Sequence, residues 1–450
     1  MFTSSGIQRR RRALIVGVLT AAVTGCNIAE SPTPATAGRQ QSLDQLYAGY
    51  DREFLTYLAN AAQAVGKPTM VVERLSDRFT VPKRLAVRGT PQEIGLTIGH
   101  IARQASHPLP LVSAAGRALN EQIIDLYSRI YPQHLQVVSG IAAVSGSSLD
   151  QVDMVQMEYD YFVRLWWRLL KYDSFVSLTD FGRYGDAGPA PGCSVASFLV
   201  GSRHIVGRNF DNASDEPHYL ATTEMSGTYK ALGHVVYSLT HWAVDGVNER
   251  GLSVNCATNG EEYDWRDPYP QQPAVFSGHL ARIVMDTCAT VDEALQLIGS
   301  VRVWFPNEGL HWLIADASGK AVVVEFDLNR RMVVLDRPGP YEVMTNTALQ
   351  KGDAYVSTVC PRFRRAQPLL EAGLSGTADM LSLMRSIRPT PDYPYRTLWT
   401  TIMDLSDRSL ETHYRLEYDR PYRFVLADPG ASKRAGSDAF EVTTKVRLTD

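Results

Sequence analysis

Apolar residues recur at intervals of three and four through Glu93-Ile94-Gly95-Leu96-Thr97-Ile98-Gly99, Leu119 to Ile130 and Leu135 to Val144. That spacing gathers them on one face of a helix, so the chain from about Leu43 to Leu170 reads as mainly helical. Between Asp173 and Gly192 the pattern breaks. Phe181-Gly182-Arg183-Tyr184-Gly185-Asp186-Ala187 runs into Gly188-Pro189-Ala190-Pro191-Gly192, a density of Gly and Pro that predicts an exposed, irregular loop. From Cys193 the period drops to two. Cys193 to Gly201 and His204 to Asn209 read as strands joined by a turn at Gly201-Ser202-Arg203, which carries Asp211 back towards Cys193. Further strands are predicted at Val235 to Leu239, Leu252 to Ala257, Trp312 to Ala315, Ala321 to Phe326, Met332 to Leu335 and Tyr341 to Met344, with helices at Gly278 to Thr287 and Val291 to Ile298. Strands and helices in blocks imply an α+β protein of stacked layers. No internal repeat is visible.

Composition narrows the class. Of 450 residues, 44% are hydrophobic and 21% charged, as in an ordinary globular protein. The net charge of −3, from 45 basic and 48 acidic residues, gives nucleic acid no general attraction. At the N-terminus Arg9-Arg10-Arg11-Arg12 precede a short apolar run, Ala13 to Val23, and then Val23-Thr24-Gly25-Cys26. This reads as an export signal ending in a bacterial lipobox, with a twin-arginine route left open. Residues 27–42, rich in Pro, Thr, Ala and Ser, read as a tether. The expected organisation is therefore a signal with lipobox over 1–26, a tether over 27–42, an α-rich segment over 43–192 and a β-rich body over 193–450. A cell-envelope location follows, with lipidated Cys26 touching the membrane. Besides Cys26 and Cys193 there remain Cys256, Cys288 and Cys360, an odd set without metal-like spacing.

The chemistry gathers around Pro191-Gly192-Cys193-Ser194 and Gly207-Arg208-Asn209-Phe210-Asp211. If the chain cuts itself before Cys193, the freed α-amine, titrating near pH ~8, can take the thiol proton, and no separate histidine is needed. Asp211 would then orient the new ammonium, and Arg208 would hold Asp211 or a substrate carbonyl. A buried structural cysteine and a surface Asp–Arg pair are the plainer readings of the same residues.

Taken in order with Asp245-Gly246-Val247-Asn248-Glu249-Arg250-Gly251-Leu252 and Met344-Thr345-Asn346, these motifs resemble the N-terminal-nucleophile hydrolases, within them the acyl-CoA:6-aminopenicillanate acyltransferase and choloylglycine hydrolase group. Val87-Arg88-Gly89-Thr90-Pro91-Gln92-Glu93-Ile94-Gly95 and Ser139-Gly140-Ile141-Ala142-Ala143 look like pro-region helices of the acyltransferase branch. The resemblance implies a four-layer αββα sandwich and a precursor in which the Cys193 thiol attacks the Gly192–Cys193 bond. Two associated chains, Cys26 to Gly192 and Cys193 to Asp450, would result. It also implies Asn346 as a donor to the oxyanion, Asn259 or Asn255 as a second asparagine, and Arg362 or Arg396 as the late arginine, Asn259 and Arg362 being taken first. The implied activity is that of a cysteine amidase or acyltransferase on linear amides, penicillin V and bile-salt conjugates included, needing no cofactor and no metal. Its partner is a small acyl-amide; a homo-oligomer is left open.

Two readings compete. A papain-like enzyme would pair Cys193 with His241 or His311, which read instead as strand histidines near the core. A non-catalytic surface lipoprotein would bind through aromatics such as Trp166-Trp167 or Tyr263 with Trp265. Neither a Gly-x-Ser-x-Gly elbow nor a His-Glu-x-x-His or Cys-x-x-Cys motif is present.

Overall fold

The computed structural model describes residues 54–74, 83–169, 192–212, 218–236, 238–262, 270–305, 308–389 and 396–426. The predicted signal, lipobox, tether and Gly/Pro loop lie outside the described residues, as do Tyr263 and Trp265. Among the described residues no helix is long and apolar enough to cross a membrane.

Two sheets face each other. The larger has nine strands in the order β1 (Met70–Arg74), β2 (Lys83–Gly89), β5 (His218–Met225), β6 (Ala231–Val236), β7 (Ala243–Asn248), β8 (Ser253–Glu262), β9 (Glu308–Ala315), β10 (Ala321–Phe326), β11 (Met332–Leu335). The smaller runs β12 (Tyr341–Met344), β3 (Cys193–Val200), β4 (Arg203–Asn212), β13 (Arg396–Asp404), β14 (Ser409–Tyr414), β15 (Tyr422–Val425). All neighbours are antiparallel except β2 and β5. Leu220, Leu232, Val247, Ala257 and Leu313 of the large sheet and Phe198, Ile205 and Ile402 of the small one share a single core, which fixes the face-to-face packing.

Helices cover the outer faces. A helix over 54–65 (α1), α2 (Pro91–Gln104), α3 (Arg117–Ile130), α4 (Pro132–Val144), α5 (Phe162–Leu169), α6 (Ser277–Thr287) and α7 (Val291–Ser300) build a second core against the large sheet. Behind the small sheet lie α8 (Asp353–Val359), α9 (Pro361–Glu371) and α10 (Thr377–Ser386). The arrangement is the four-layer αββα sandwich.

Local chemistry explains the outer layer. Thr90 caps α2 in a capping box with Glu93, and Pro91 supplies the first helical residue. One face of α2 buries Ile94, Ile98 and Ile101, each contributing about 1.5–3 kcal/mol relative to exposure. Gly95 and Gly140 let α2 and α4 cross closely, because a Cβ at either would collide with Val137 O or Gln92 O on the facing helix.

One expectation shifts. The stretch before Cys193 is not purely helical: Leu85 and Val87 alternate into the core as β2, so Val87-Arg88-Gly89 ends a strand and the helix begins only at Pro91. That strand pairs with β5, so the N-terminal region adds an edge to the sheet of the β-rich body. Cys193, Cys256, Cys288 and Cys360 are all buried free thiols. Trp166 packs edge-on against Phe54 and Tyr219 in the core and offers no binding platform.

Candidate active site

Cys193 opens β3, between β12 and β4 in the small sheet, and is 5% exposed. The hairpin to β4, turning at Gly201 with φ +60°, sets the register Cys193 to Phe210 and places Arg208 and Asp211 beside the thiol. Arg208 donates from Nη2 to Cys193 Sγ at 3.5 Å and from Nη1 to the Val244 carbonyl. Fully buried, the guanidinium needs a counter-charge, and Asp245 on β7 supplies it, its Oδ2 3.5 Å from Arg208 Nε. His234 (2.7 Å) and the Trp399 indole N–H (2.9 Å) complete that carboxylate's shell and, with Arg208, hold it well below the usual range despite burial. Trp399 also stacks on Phe210, with ring centroids 4.1 Å apart.

Asp211 is buried between two donors. Thr397 Oγ1 donates to Oδ1 at 2.7 Å, and Arg362 Nη1 lies 3.3 Å from Oδ2. Burial outweighs the pull of Arg362, Thr397 and Arg208 and lifts the carboxyl to about 6. Burial likewise raises the Cys193 thiol, against the opposing attraction of Arg208, so at neutral pH it keeps its proton and needs a base.

Arg362, on the first turn of α9, gathers the site. Its Nη1 donates to the Cys193 carbonyl at 2.7 Å and to Ser194 Oγ at 3.1 Å, and its Nη2 to Asn346 Oδ1 at 2.8 Å. The Cys193 N–H donates to the same Oδ1 at 2.5 Å. The amide end of Asn346 donates to Thr258 O and Oγ1, at 3.0 and 2.9 Å. Asn346 thus turns its oxygen, not its N–H groups, towards Cys193, whereas the sequence reading cast it as a donor. His311 holds this turn from below, bonded to Glu325 (2.9 Å) and to the Thr345 carbonyl (2.6 Å). Gly192 packs so tightly that a Cβ there would sit 3.2 Å from both Arg362 Nη1 and Asp211 Oδ2.

The structure therefore brings Cys193, Arg208, Asp211, Asn346 and Arg362 together. Asn255 and Asn259 flank Ala257, a residue of the inter-sheet core, so strand alternation puts both on that face. Spacing could not separate them; position does. Asn255 lies opposite Asp245 and donates to Ser253 Oγ, whereas Asn259 adjoins Thr258, the anchor of Asn346. Arg396 starts β13 opposite Asn212, while Arg362 makes the contacts to Cys193 and Asp211. Neither proposed papain-type histidine serves the thiol: His311 is committed to Glu325 and Thr345, and His241, in the loop between β6 and β7 rather than on a strand, bonds Glu158. Thr258, Thr397 and Asp245 were missed as partners, because their roles arise from long-range pairing.

Residues 201–351 match the model of the linear amide C-N hydrolases, choloylglycine hydrolase family. That stretch, about a third of the chain, is what is similar to the linear amide C-N hydrolases. A penicillin V acylase from Pectobacterium atrosepticum is 33% identical over 113 residues, covering 23% of this chain and 30% of that relative's length. The chain thus matches about three-tenths of the curated relative. Among solved structures, a penicillin V acylase from Agrobacterium tumefaciens aligns over 52% of this chain and 86% of its own, at 19% identity and TM-score 0.40. A mutant of the conjugated bile acid hydrolase from Clostridium perfringens aligns over 52% and 92%, at 17% identity and TM-score 0.39. In the match, the Asn248-Glu249-Arg250-Gly251-Leu252 segment is structural: Asn248 bonds the Met285 and Cys288 carbonyls, and its Oδ1 accepts from the Arg250 and Leu252 N–H groups.

Proposed function

We propose that this protein is a cysteine amidohydrolase that activates itself by cutting before Cys193 and then cleaves linear amides. The observation that carries the reading is the convergence on one residue, Cys193, of Arg208 at the thiol, Asn346 at the backbone nitrogen and Arg362 at the carbonyl, with Asp211 paired to Arg362. A structural cysteine has no use for polar side chains on its sulfur, its main-chain nitrogen and its carbonyl at once.

In the first step the thiol attacks the Gly192 carbonyl; its sulfur forms a thioester as the C–N bond to Cys193 breaks, and the nitrogen takes up a proton. Water then hydrolyses the thioester, leaving a Gly192 carboxylate, a free thiol and a free α-amine. That amine, held by Asn346 Oδ1 and faced by Asp211, is the base for each later turnover. It accepts the thiol proton as sulfur adds to a substrate amide and delivers it to the leaving amine.

The tetrahedral oxyanion needs donors fixed beforehand. With the Asn346 amide committed to Thr258, we assign that task to the Asn259 side-chain amide beside it. Arg208 steadies developing negative charge on sulfur, and Asp245 keeps Arg208 in place. The family and its acylase and hydrolase members favour water over an amine as acceptor, and penicillin V and conjugated bile salts as first trial substrates.

The Arg9-to-Cys26 pattern adds the expectation that the enzyme is exported and lipid-anchored, which metabolic labelling of Cys26 with a radioactive fatty acid would report. A panel of penicillin V, bile-salt conjugates and N-acyl amino acids tests the activity. Wild type should release the amine from at least one, and Cys193→Ala from none; an active Cys193→Ala protein would overturn the reading.

A further inference from the structure

On the outer side of the large sheet, away from Cys193, four side chains from four separate segments converge: His134 on α4, Glu158, His241 in the loop before β7, and His279 on α6. None is more than 7% exposed, and their ligand atoms lie within 4.8 Å of one another. We propose that this cluster is a closed structural site for one divalent transition-metal ion, zinc being the ion its donors suit first.

Hydrogen bonding alone leaves the cluster badly arranged. Glu158 Oε2 is approached by Tyr127 Oη (2.8 Å), His279 Nδ1 (2.8 Å) and His241 Nε2 (3.1 Å), three claimants for an oxygen with two lone pairs. His134 Nε2 and Glu158 Oε1 face each other, yet neither completes a hydrogen bond, and both are deeply buried. The two atoms meet as an ion pair whose alignment is too poor for a good hydrogen bond, an arrangement that a shared cation would relieve. The three imidazole rings crowd together, with centroids 3.4 to 4.9 Å apart.

A cation between these atoms removes the conflict. Each histidine then offers a lone pair rather than competing to donate, and Glu158 binds through one oxygen. Three nitrogens and one carboxylate oxygen at about 2.0–2.2 Å make a tetrahedral set, which these atoms would form by moving apart around the ion. Tyr127, bonded to Glu158, supplies the outer hydrogen bond that orients a ligating carboxylate. Glu158 itself is carried by a π-helical turn, Met157–Tyr161, a rare geometry frequently found at functional sites. A cavity of ≈ 30 Å³ is lined by His134, His241 and His279.

The site would tie the fold together. His134 and Glu158 precede Cys193 in the chain, and His241 and His279 follow it, so the ion would clamp the N-terminal helices to the body. If the chain is cut as proposed above, the same ion would hold the two pieces together; that consequence rests on the self-cutting reading, and the metal site does not.

The test is metal content. Full-length protein, purified without chelator after growth with added zinc and then desalted, should carry about one equivalent of a first-row metal per chain by plasma mass spectrometry. Cys193→Ala should carry the same amount, which separates this site from the thiol and from cutting. His241→Gln and His279→Gln should fall to about a tenth of that or less, and cobalt added to metal-stripped wild type should give the visible bands of a tetrahedral site. Wild type below about a tenth of an equivalent that also takes up no cobalt would overturn the site, as would folded His241→Gln and His279→Gln proteins with full metal. Should the variants fail to fold, wild-type content and the cobalt spectrum decide.

Discussion

Asp211 carries a cost in the uncut chain that the cut enzyme proposed above would recover. Its carboxyl is lifted from 3.8 to about 6 by full burial, so ionising it inside the fold costs more than in the unfolded chain. The shift corresponds to about 3 kcal/mol at neutral pH. The sign follows from proton binding: between these two values the folded state holds the proton and the unfolded state has lost it, so stability falls as pH rises through the window. Asp211→Asn, a neutral side chain of the same shape, should remove this penalty. The comparison belongs in a Cys193→Ala background, where the chain stays uncut and no ammonium reaches Asp211. There Asp211→Asn should add about 0.5 kcal/mol at pH 4 and about 3 kcal/mol above pH 7. For a chain of this size that is a rise in Tm of roughly 3–4 °C at pH 7.5, shrinking towards zero in acid. Scanning calorimetry at fixed scan rate across pH 4 to 8 reads it directly. An equal effect at both ends of the range, or a loss of stability at pH 7.5, would refute the reasoning. In the otherwise wild-type chain the same substitution should be inactive, the familiar exchange of stability for a charged site.

Other consequences follow from the same contacts. Because the Cys193 nitrogen takes up a proton near Asp211 as the Gly192–Cys193 bond breaks, an ionised Asp211 favours that step, so self-cutting should accelerate as pH rises through about 6, and the cut enzyme's own acid limb should lie lower, since the new ammonium stabilises the carboxylate; gel-based cutting rates and kcat/KM profiles read the two limbs. Gly192→Ala presses a methyl group against Arg362 and Asp211 at 3.2 Å, so the full-length species should persist longer by mass spectrometry with little change in Tm. Thr258→Val removes one of the two anchors of Asn346, worth about 1 kcal/mol, and should slow cutting and turnover roughly five- to tenfold, again without much change in Tm. Arg362→Lys keeps the charge but cannot reach the Cys193 carbonyl, Asp211 and Asn346 at once, so kcat should drop more than KM rises.

What was legible in the sequence was what periodicity and local turns encode. Alternation from Cys193 and the Gly201 turn gave the β3–β4 hairpin, and with it the meeting of Cys193, Arg208 and Asp211. Ala321–Phe326 and Met332–Leu335 emerged with their predicted limits. β2 was hidden because it abuts a strong helix start at Thr90, and its pairing with β5 joins residues far apart in the chain. The strands of residues 396–426 and the helices of residues 353–386 lacked a clean period. Asn346 was found, but the orientation of its amide depends on Thr258 and Arg362, which only the fold brings to it. The His/Glu cluster was invisible for the same reason: its members come from four distant segments and follow no motif spacing.

The central claim is that Cys193 becomes a chain terminus, and intact-mass analysis with N-terminal sequencing of the purified protein tests it most directly. The account predicts two associated chains, the second beginning Cys193-Ser194-Val195 and ending at Asp450, and one uncut chain for Cys193→Ala. An uncut wild-type protein that hydrolyses its amide substrate at full rate would contradict it.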